Sequence, residues 1–422
     1  MNRSAKTRYV IFQILVEIFK KNKNFETVFN KFIINQNFNQ KDISFINNVC
    51  LNTMRRSMHC KLILKKFSRS GLNTNQYILL SSAIVQIVYL KIKPYAVINE
   101  TVNVAKKVKI FPGFVNALLK NILNNLDEVS KIEIDLCDFP EWFVKQTKDK
   151  KKFEYDKFIK TFCEHPSLHL VFKSAKYLSN FKEPHTKSSK YSAFVETQKK
   201  VSKIDNFEKG EWWVQDFASM LPLLFNSKTK NLNILDMCAA PGGKAFQVLS
   251  NNKAVLNDIN IKRISKLKTN LFRLKFKTKI MNLNGLDIDE SHKFDMVILD
   301  APCSSIGTIR RHPEIFFKSK YPDFGSLNQL QKSLLEKSSR LINNKGKIIY
   351  MVCSFFYSET IGIIENFLKN NRNFSIERFS PNKEFYDLKY LISKEGYFLT
   401  LPTKYKSFNI DGFFSVQLIR ND

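Results

Sequence analysis

Asn233-Ile234-Leu235-Asp236-Met237-Cys238-Ala239-Ala240-Pro241-Gly242-Gly243-Lys244 reads as a short apolar strand, a glycine turn and the entry to a helix that begins over Ala245–Leu249. A strand that passes through such a turn into a helix starts an α/β layer, because the helix packs back over the sheet before the next parallel strand. Strands and helices keep alternating from there. Ala254-Val255-Leu256-Asn257-Asp258 reads as a second strand, Asp295-Met296-Val297-Ile298-Leu299-Asp300 as a central one and Lys347-Ile348-Ile349-Tyr350-Met351-Val352 as another. The central run is apolar throughout, as burial on both faces requires. From Leu232 onward the expectation is a parallel sheet with helices on both faces.

Upstream the pattern changes twice. Residues 1–130 read as helices: Val10, Ile11, Ile14, Leu15, Ile18 and Phe19 recur at helical spacing, as do Leu80, Ile84, Ile87 and Val88. Val97, Val104 and Val108, then Val115, Leu118, Leu119, Ile122 and Leu123, continue this around a break at Phe111-Pro112-Gly113. The segment holds 20 Lys/Arg against 6 Asp/Glu, so a helical bundle with one basic face is expected. Residues 131–230 read as a small α/β connecting region. Pro140-Glu141-Trp142 opens a helix, Leu168–Phe172 and Trp212-Trp213-Val214 look like strands, and the Lys- and Ser-rich stretch between those strands reads as loop. The fold class is thus multidomain: an all-α domain (1–130), a connecting α/β subdomain (131–230) and a Rossmann-like α/β domain (231–422). No internal repeat is visible.

The bulk numbers bound the function. The 422 residues are 44% hydrophobic and 13% aromatic, which is the composition of a folded protein. The 38 Phe fit an AT-rich coding composition and carry little weight singly. A net charge of +30 fits a polyanionic partner, with nucleic acid favoured, although an AT-rich composition also raises Lys. Seven Cys occur without a CxxC pair, and the six His do not cluster near them, so no metal site is expected. Met1-Asn2-Arg3-Ser4-Ala5-Lys6 leads into an amphipathic stretch unlike a signal peptide. The most apolar window, Tyr77–Leu90, is interrupted by Ser81, Ser82 and Gln86 and is too short to span a bilayer. A cytoplasmic protein with free thiols is the expectation.

Gly242 and Gly243, placed between strand and helix, let backbone amides approach a ligand closely. The turn is neither GxGxxG nor a Walker loop, which disfavours NAD and ATP. Asp258 ends the next strand, where a carboxylate accepts hydrogen bonds from ribose hydroxyls, and Asp300 ends the central strand on the same edge. Turn, acid, acid is the layout of S-adenosyl-L-methionine methyltransferases. Two cysteines, Cys303 in a Pro-Cys-Ser-Ser loop and Cys353 before Ser354, follow strands that end at that edge. A lone cysteine after an apolar strand is ordinarily a small buried hydrophobe; two at one edge suggest chemistry on an electrophilic ring carbon. If the acceptor is a pyrimidine, C5 is a poor nucleophile until a thiolate adds at C6 and turns the ring into an enamine.

The resemblance is then plain. Asp236 to Lys244 resembles motif I of the RNA cytosine-C5 methyltransferases. Asp300-Ala301-Pro302-Cys303-Ser304-Ser305-Ile306-Gly307-Thr308-Ile309-Arg310-Arg311-His312-Pro313-Glu314 resembles their motif IV, Cys353-Ser354 their motif VI, and Asp411-Gly412-Phe413-Phe414 their closing motif. The basic helical segment is similar to the NusB-like RNA-binding domain of the bacterial RsmB (Sun/Fmu) branch. Asn99-Glu100-Thr101-Val102, Phe114-Val115-Asn116-Ala117-Leu118-Leu119 and Val214-Gln215-Asp216 match that branch. The likeness covers nearly the whole chain.

This resemblance implies Cys353 as nucleophile, Cys303 in product release and Asp300 in contact with the cytosine ring. It implies that Cys238, Ala239, Ala240, Pro241, Gly242, Gly243, Lys244, Asp258, Asn284 and Asp300 hold S-adenosyl-L-methionine, and that Arg310, Arg311 and His312 lie near RNA. Two departures stand out. Asn284-Gly285 occupies the place of a usual third acid, and Val352-Cys353-Ser354 with Tyr357-Ser358-Glu359-Thr360 replaces the family's Thr-Cys-Ser and Pro-Glu-Glu-Asn. The implied activity is formation of 5-methylcytosine in 16S ribosomal RNA by a monomeric enzyme, with no metal and no membrane. Two other readings stay open: the same chemistry on another RNA such as tRNA, and a catalytically silent RNA-binding ribosome assembly factor.

Overall fold

The computed structural model describes residues 3–34, 36–147, 155–225 and 230–421. Expectations touching Met1-Asn2, and the parts of the connecting region at 148–154 and 226–229, lie outside the described residues. The chain forms two compact units, Met1–Glu164 with Ile309–Tyr321, and His165–Thr308 with Pro322–Asp422.

The first unit is helical. Helices Arg3–Lys21, Phe25–Ile34, Gln40–Arg55, Ser57–Phe67, Thr74–Ile84, Pro94–Lys107 and Pro112–Asn124 surround one core in which Ile11, Ile14, Leu15, Ile18, Ile84, Val97, Val104 and Leu119 are buried. The helical spacing of those residues is what puts them on one face. Pro94 and Pro112 occupy first turns, where no N–H is missed, and Asn73 and Gln76 form a reciprocal capping box. The break expected at Phe111-Pro112-Gly113 is the start of the Pro112–Asn124 helix. The returning segment supplies Phe317 to the same core. It also brings Phe316 within 5.2–6.2 Å of the rings of Phe139, Trp142, Phe143 and Phe162, so some of the phenylalanines set aside as compositional form a packed cluster. Among the described residues no helix is long and apolar enough to cross a membrane.

The second unit opens with a four-stranded antiparallel sheet of β1 (Leu168–Phe172), β2 (His185–Ser189), β3 (Ser192–Val195) and β4 (Trp212–Val214), in the order β2-β3-β1-β4. The stretch between β1 and β4 was expected to be loop and is instead a short helix, Ala175–Ser179, and the β2–β3 hairpin. β2 is an edge strand, with Thr186 and Lys187 exposed and Ser189 buried.

The large sheet contains β5 (Asn233–Asp236), β6 (Lys253–Asn257), β7 (Lys279–Met281), β8 (Phe294–Asp300), β9 (Ile342–Val352), β10 (Phe374–Ile376), β11 (Phe398–Thr400) and, after the small pair β12 (Lys404–Tyr405) and β13 (Phe408–Asn409), β14 (Phe413–Arg420). Its order is β10-β14-β9-β8-β5-β6-β7, with β11 also paired to β14. β9, β8, β5, β6 and β7 run parallel. The sheet is not wholly parallel, because β14 inserts antiparallel between β9 and β10. The sheet is buried on both faces. Ile234, Ile298, Ile349 and Met351 pack into one core, and their neighbours Leu235, Val297, Leu299, Ile348, Tyr350 and Val352 into the other. β5 lies between β6 and β8, so the chain turns back across it. That reversal opens a crevice at the carboxyl ends of the strands.

Candidate active site

Asp236 closes β5, Asp258 follows β6, Asp300 closes β8 and Cys353 follows β9, so one sheet edge collects all four. The turn after β5 accepts only glycine at position 242. Its φ is +119°, and a Cβ there would come within 2.0 Å of the Phe246 ring. The backbone is thereby left bare beside the acids. Asp258 is 2% exposed and ties the turn down, accepting from Ala240 N at 3.3 Å and Asn260 N at 2.9 Å beside the Arg263 guanidinium at 3.4 Å. Asn284 is half-buried and caps the next turn, its Oδ1 accepting from Leu286 N at 3.3 Å. Asp236 is fully buried, and neither carboxylate oxygen accepts a hydrogen bond of normal geometry. Burial and the nearby Asp300 push its pKa up to about 7. The sequence signal for Asp236 is a carboxylate ending an otherwise apolar strand.

Lys244 Nζ lies 2.7 Å from Asp300 Oδ2 and 5.0 Å from the centroid of the Phe413 ring. Burial pulls the ammonium pKa down, but Asp300 more than offsets this, aided by Cys353 and Asp236, and the net direction is up. Lys244 therefore stays a cation inside the crevice.

The two thiols face each other, Cys303 Sγ to Cys353 Sγ at 3.4 Å, each half-exposed. Cys353 Sγ also lies 3.5 Å from Ser305 Oγ. The hydrogen-bond contact with Cys303 is the largest influence on Cys353. Together with Ser305 and Lys244, it outweighs burial and Asp300 and draws that pKa below the usual thiol value. Cys303 is driven the opposite way, first by that same hydrogen bond and then by burial, the charge on Cys353 and Glu359. The surroundings thus favour ionisation of Cys353 and disfavour that of Cys303.

Backbone packing sets this spacing. Gly307 N donates to the Cys353 carbonyl at 3.0 Å, and Gly412 N donates to the Gly307 carbonyl at 2.8 Å. A Cβ on Gly307 would sit 1.9 Å from the Gly412 oxygen, so only glycine lets the three segments touch.

Arg310 is corrected by the structure. It was expected near RNA, yet it is 0% exposed, its Nε donates to the Thr161 carbonyl at 2.9 Å, and its own carbonyl accepts from Arg55 Nε and Nη2 at 3.1 and 2.9 Å. Its guanidinium is an internal strut of the helical unit. Arg311 is half-buried; His312 is exposed, with Nδ1 3.5 Å from Glu314 Oε1. Among the described residues no cluster of three or more His, Cys, Asp or Glu could hold a metal ion.

Comparison with known proteins agrees with this arrangement. The family described as 16S rRNA methyltransferase RsmB/F matches residues 223–419, and the NusB family matches residues 5–124. The chain is 26% identical over 402 residues to ribosomal RNA small subunit methyltransferase B of Shewanella oneidensis, a likeness covering 90% of this chain and 91% of that protein. It is 26% identical over 396 residues to the protein of the same name from Photorhabdus laumondii, covering 88% and 92%. Among solved structures, PH0851 has the same fold over 99% of both chains, with a TM-score of 0.72 and 19% identity. Residues 223–419 thus carry an RsmB/F-type methyltransferase domain and residues 5–124 a NusB-family domain ahead of it, and the protein is an S-adenosyl-L-methionine-dependent RNA methyltransferase.

Proposed function

We propose that this enzyme forms 5-methylcytosine in 16S ribosomal RNA through a covalent adduct between Cys353 and C6 of the base. The observation that carries the reading is the thiol pair at the sheet edge, 3.4 Å apart, with Cys353 the sulfur whose ionisation its surroundings favour. The substrate follows from the small-subunit ribosomal RNA named for both curated relatives.

When bound, S-adenosyl-L-methionine supplies an electrophilic methyl group. The residues present fit it: the bare backbone of the 238–244 turn, the acids Asp236, Asp258 and Asp300, and Asn284 offer amides and acceptors to a ligand rich in hydroxyl and amino donors. Lys244 holds Asp300 in place. Asp300, 30% exposed, is the acid free to meet the cytosine edge.

Cys353 Sγ adds to C6, a C–S bond forms, and the electrons of the C5–C6 double bond become available at C5. Once C5 carries its methyl group, the C5 proton must leave, the ring double bond re-forms and the C6–S bond breaks to return the thiolate. Cys303 is suited to take that proton. The hydrogen bond to Cys353 and then burial raise the Cys303 pKa, with the charge on Cys353 adding to them. Alkylation of Cys353 removes that hydrogen bond and that charge, so Cys303 ionises more readily when a base is needed. The basic helical unit, which includes exposed His312 and half-buried Arg311, would bind RNA. Free thiols suit a reducing cytoplasm, and a monomer contains every residue invoked.

Bisulfite sequencing of ribosomal RNA from cells with and without the protein tests the substrate. One cytosine of 16S RNA should lose its methyl group in the deletion. No change in that RNA, or a change confined to tRNA, would overturn the assignment.

A further inference from the structure

The two loops that carry the thiols meet on a third residue. Glu359, in the 3-10 turn Tyr357–Glu359, is 0% exposed. Its Oε1 accepts the backbone N–H of Ser304 at 2.7 Å and the side-chain amide of Gln331 at 3.3 Å. Its Oε2 accepts the hydroxyls of Ser304 at 2.5 Å and Ser354 at 2.6 Å. Ser304 follows Cys303 and Ser354 follows Cys353, so one carboxylate ties both cysteine loops, the first through backbone and side chain and the second through its hydroxyl. Gln331 Nε2 also donates to the Pro302 carbonyl at 2.8 Å, and Tyr350 Oη donates to the Glu359 carbonyl at 2.9 Å.

We propose that Glu359 is a positioning residue that clamps the Cys303 and Cys353 loops together and fixes which sulfur donates and which accepts. The inference rests on reading those cysteines as the catalytic pair. A carboxylate can only accept, so four converging donors have one stable arrangement, and hydrogen bonds to a charged acceptor are roughly twice as strong as neutral ones. An amide in the same place would present an N–H to a donor. The clamp also has a sign. Cys303 faces Cys353 and the Glu359 carboxylate, which disfavour its ionisation, whereas Cys353 faces Cys303, Ser305, Lys244 and Asp300. Tyr350, buried beneath both, is itself held as a phenol. Glu359 thus loads its negative charge on one side of the pair.

The test is Glu359→Gln in the full chain, with two readouts. Steady-state methylation should show kcat lowered about 10²-fold, the cost of sub-ångström misplacement at a reacting centre, with KM for RNA unchanged. Iodoacetamide alkylation mapped by mass spectrometry should show the wild-type preference for Cys353 over Cys303 reduced roughly tenfold, as one unit of relative pKa would give. Ser354→Ala removes a single donor and should move both readouts the same way by about threefold, which covers a Glu359 variant that does not fold. Wild-type kcat and wild-type alkylation preference in these variants would overturn the clamp. If the preference collapses in Glu359→Gln while no RNA carries an enzyme-dependent 5-methylcytosine, the clamp stands and the functional reading alone falls.

Discussion

Cys353 at the sheet edge and the cysteines of the helical unit are held in opposite ways, and Cys353 differs even from Cys303 and Cys238 on its own edge, whose thiols are raised. In the helical unit Cys50, Cys60 and Cys163 are buried, and burial is the leading cause of a raised pKa at each; Cys60 and Cys163 reach about 12. At the sheet edge Cys353 is half-exposed and lowered, although burial pushes against it there too. The side chain is the same, so the difference lies in what the backbone aims at it. In the helical unit burial outweighs even the three arginines near Cys163, whereas at Cys353 the contacts with Cys303, Ser305 and Lys244 outweigh burial.

The comparison breaks most visibly by removing the polarised sulfur. Cys353→Ala should lower single-turnover methylation by at least about 10⁴-fold, the scale of losing a covalent nucleophile, and should leave no RNA adduct on a denaturing gel. Cys303→Ala should slow turnover by roughly 10²–10³-fold, the range of a positioned acid–base group, while a covalent protein–RNA species accumulates. A reversed pattern would exchange the two roles.

A gentler probe uses pH. Because the Cys353 pKa is lowered, its thiolate is present above that value and is lost as pH falls through it. Adduct formation should therefore drop about tenfold per pH unit on the acidic side. In Cys303→Ala the drop should begin at higher pH, since the largest stabiliser of the thiolate is gone. An unchanged midpoint would show that Cys303 does not hold that proton balance.

Gly307→Ala sharpens the geometric half of the contrast. The added methyl meets the Gly412 backbone, and thermal melting should report a loss of roughly 1–3 kcal/mol, with the alkylation preference for Cys353 reduced as well. Cys60→Ala should cost about 1 kcal/mol through a small cavity and leave methylation at the wild-type rate.

What the sequence disclosed follows sequence distance. The parallel strands were legible because each is a continuous apolar run, and the turn at Pro241-Gly242-Gly243 because its chemistry is local. Strand ends also located both cysteines, since residues beyond neighbouring parallel strands share an edge. Burial of Arg310 was not legible, because its partners Thr161 and Arg55 lie 149 and 255 residues away and a basic loop looks solvated on paper. Glu359 stood in a stretch that departs from the family pattern, and its bonds to Ser304 span 55 residues. The β2–β3 hairpin was hidden by its exposed polar edge, and β14 by an antiparallel insertion that no helix announces.

Residues 309–321 have a consequence for anyone wishing to take the protein apart. They are numbered within the methyltransferase half but fold with the helical one, where Phe317 enters the core and Arg310 braces Arg55 and Thr161. A fragment stopping at Glu164 would forfeit that plug and leave Phe139 and Phe143 uncovered on the Phe316 side, inviting self-association. The two halves are separable as ideas about function, but no single scissor cut yields either one whole.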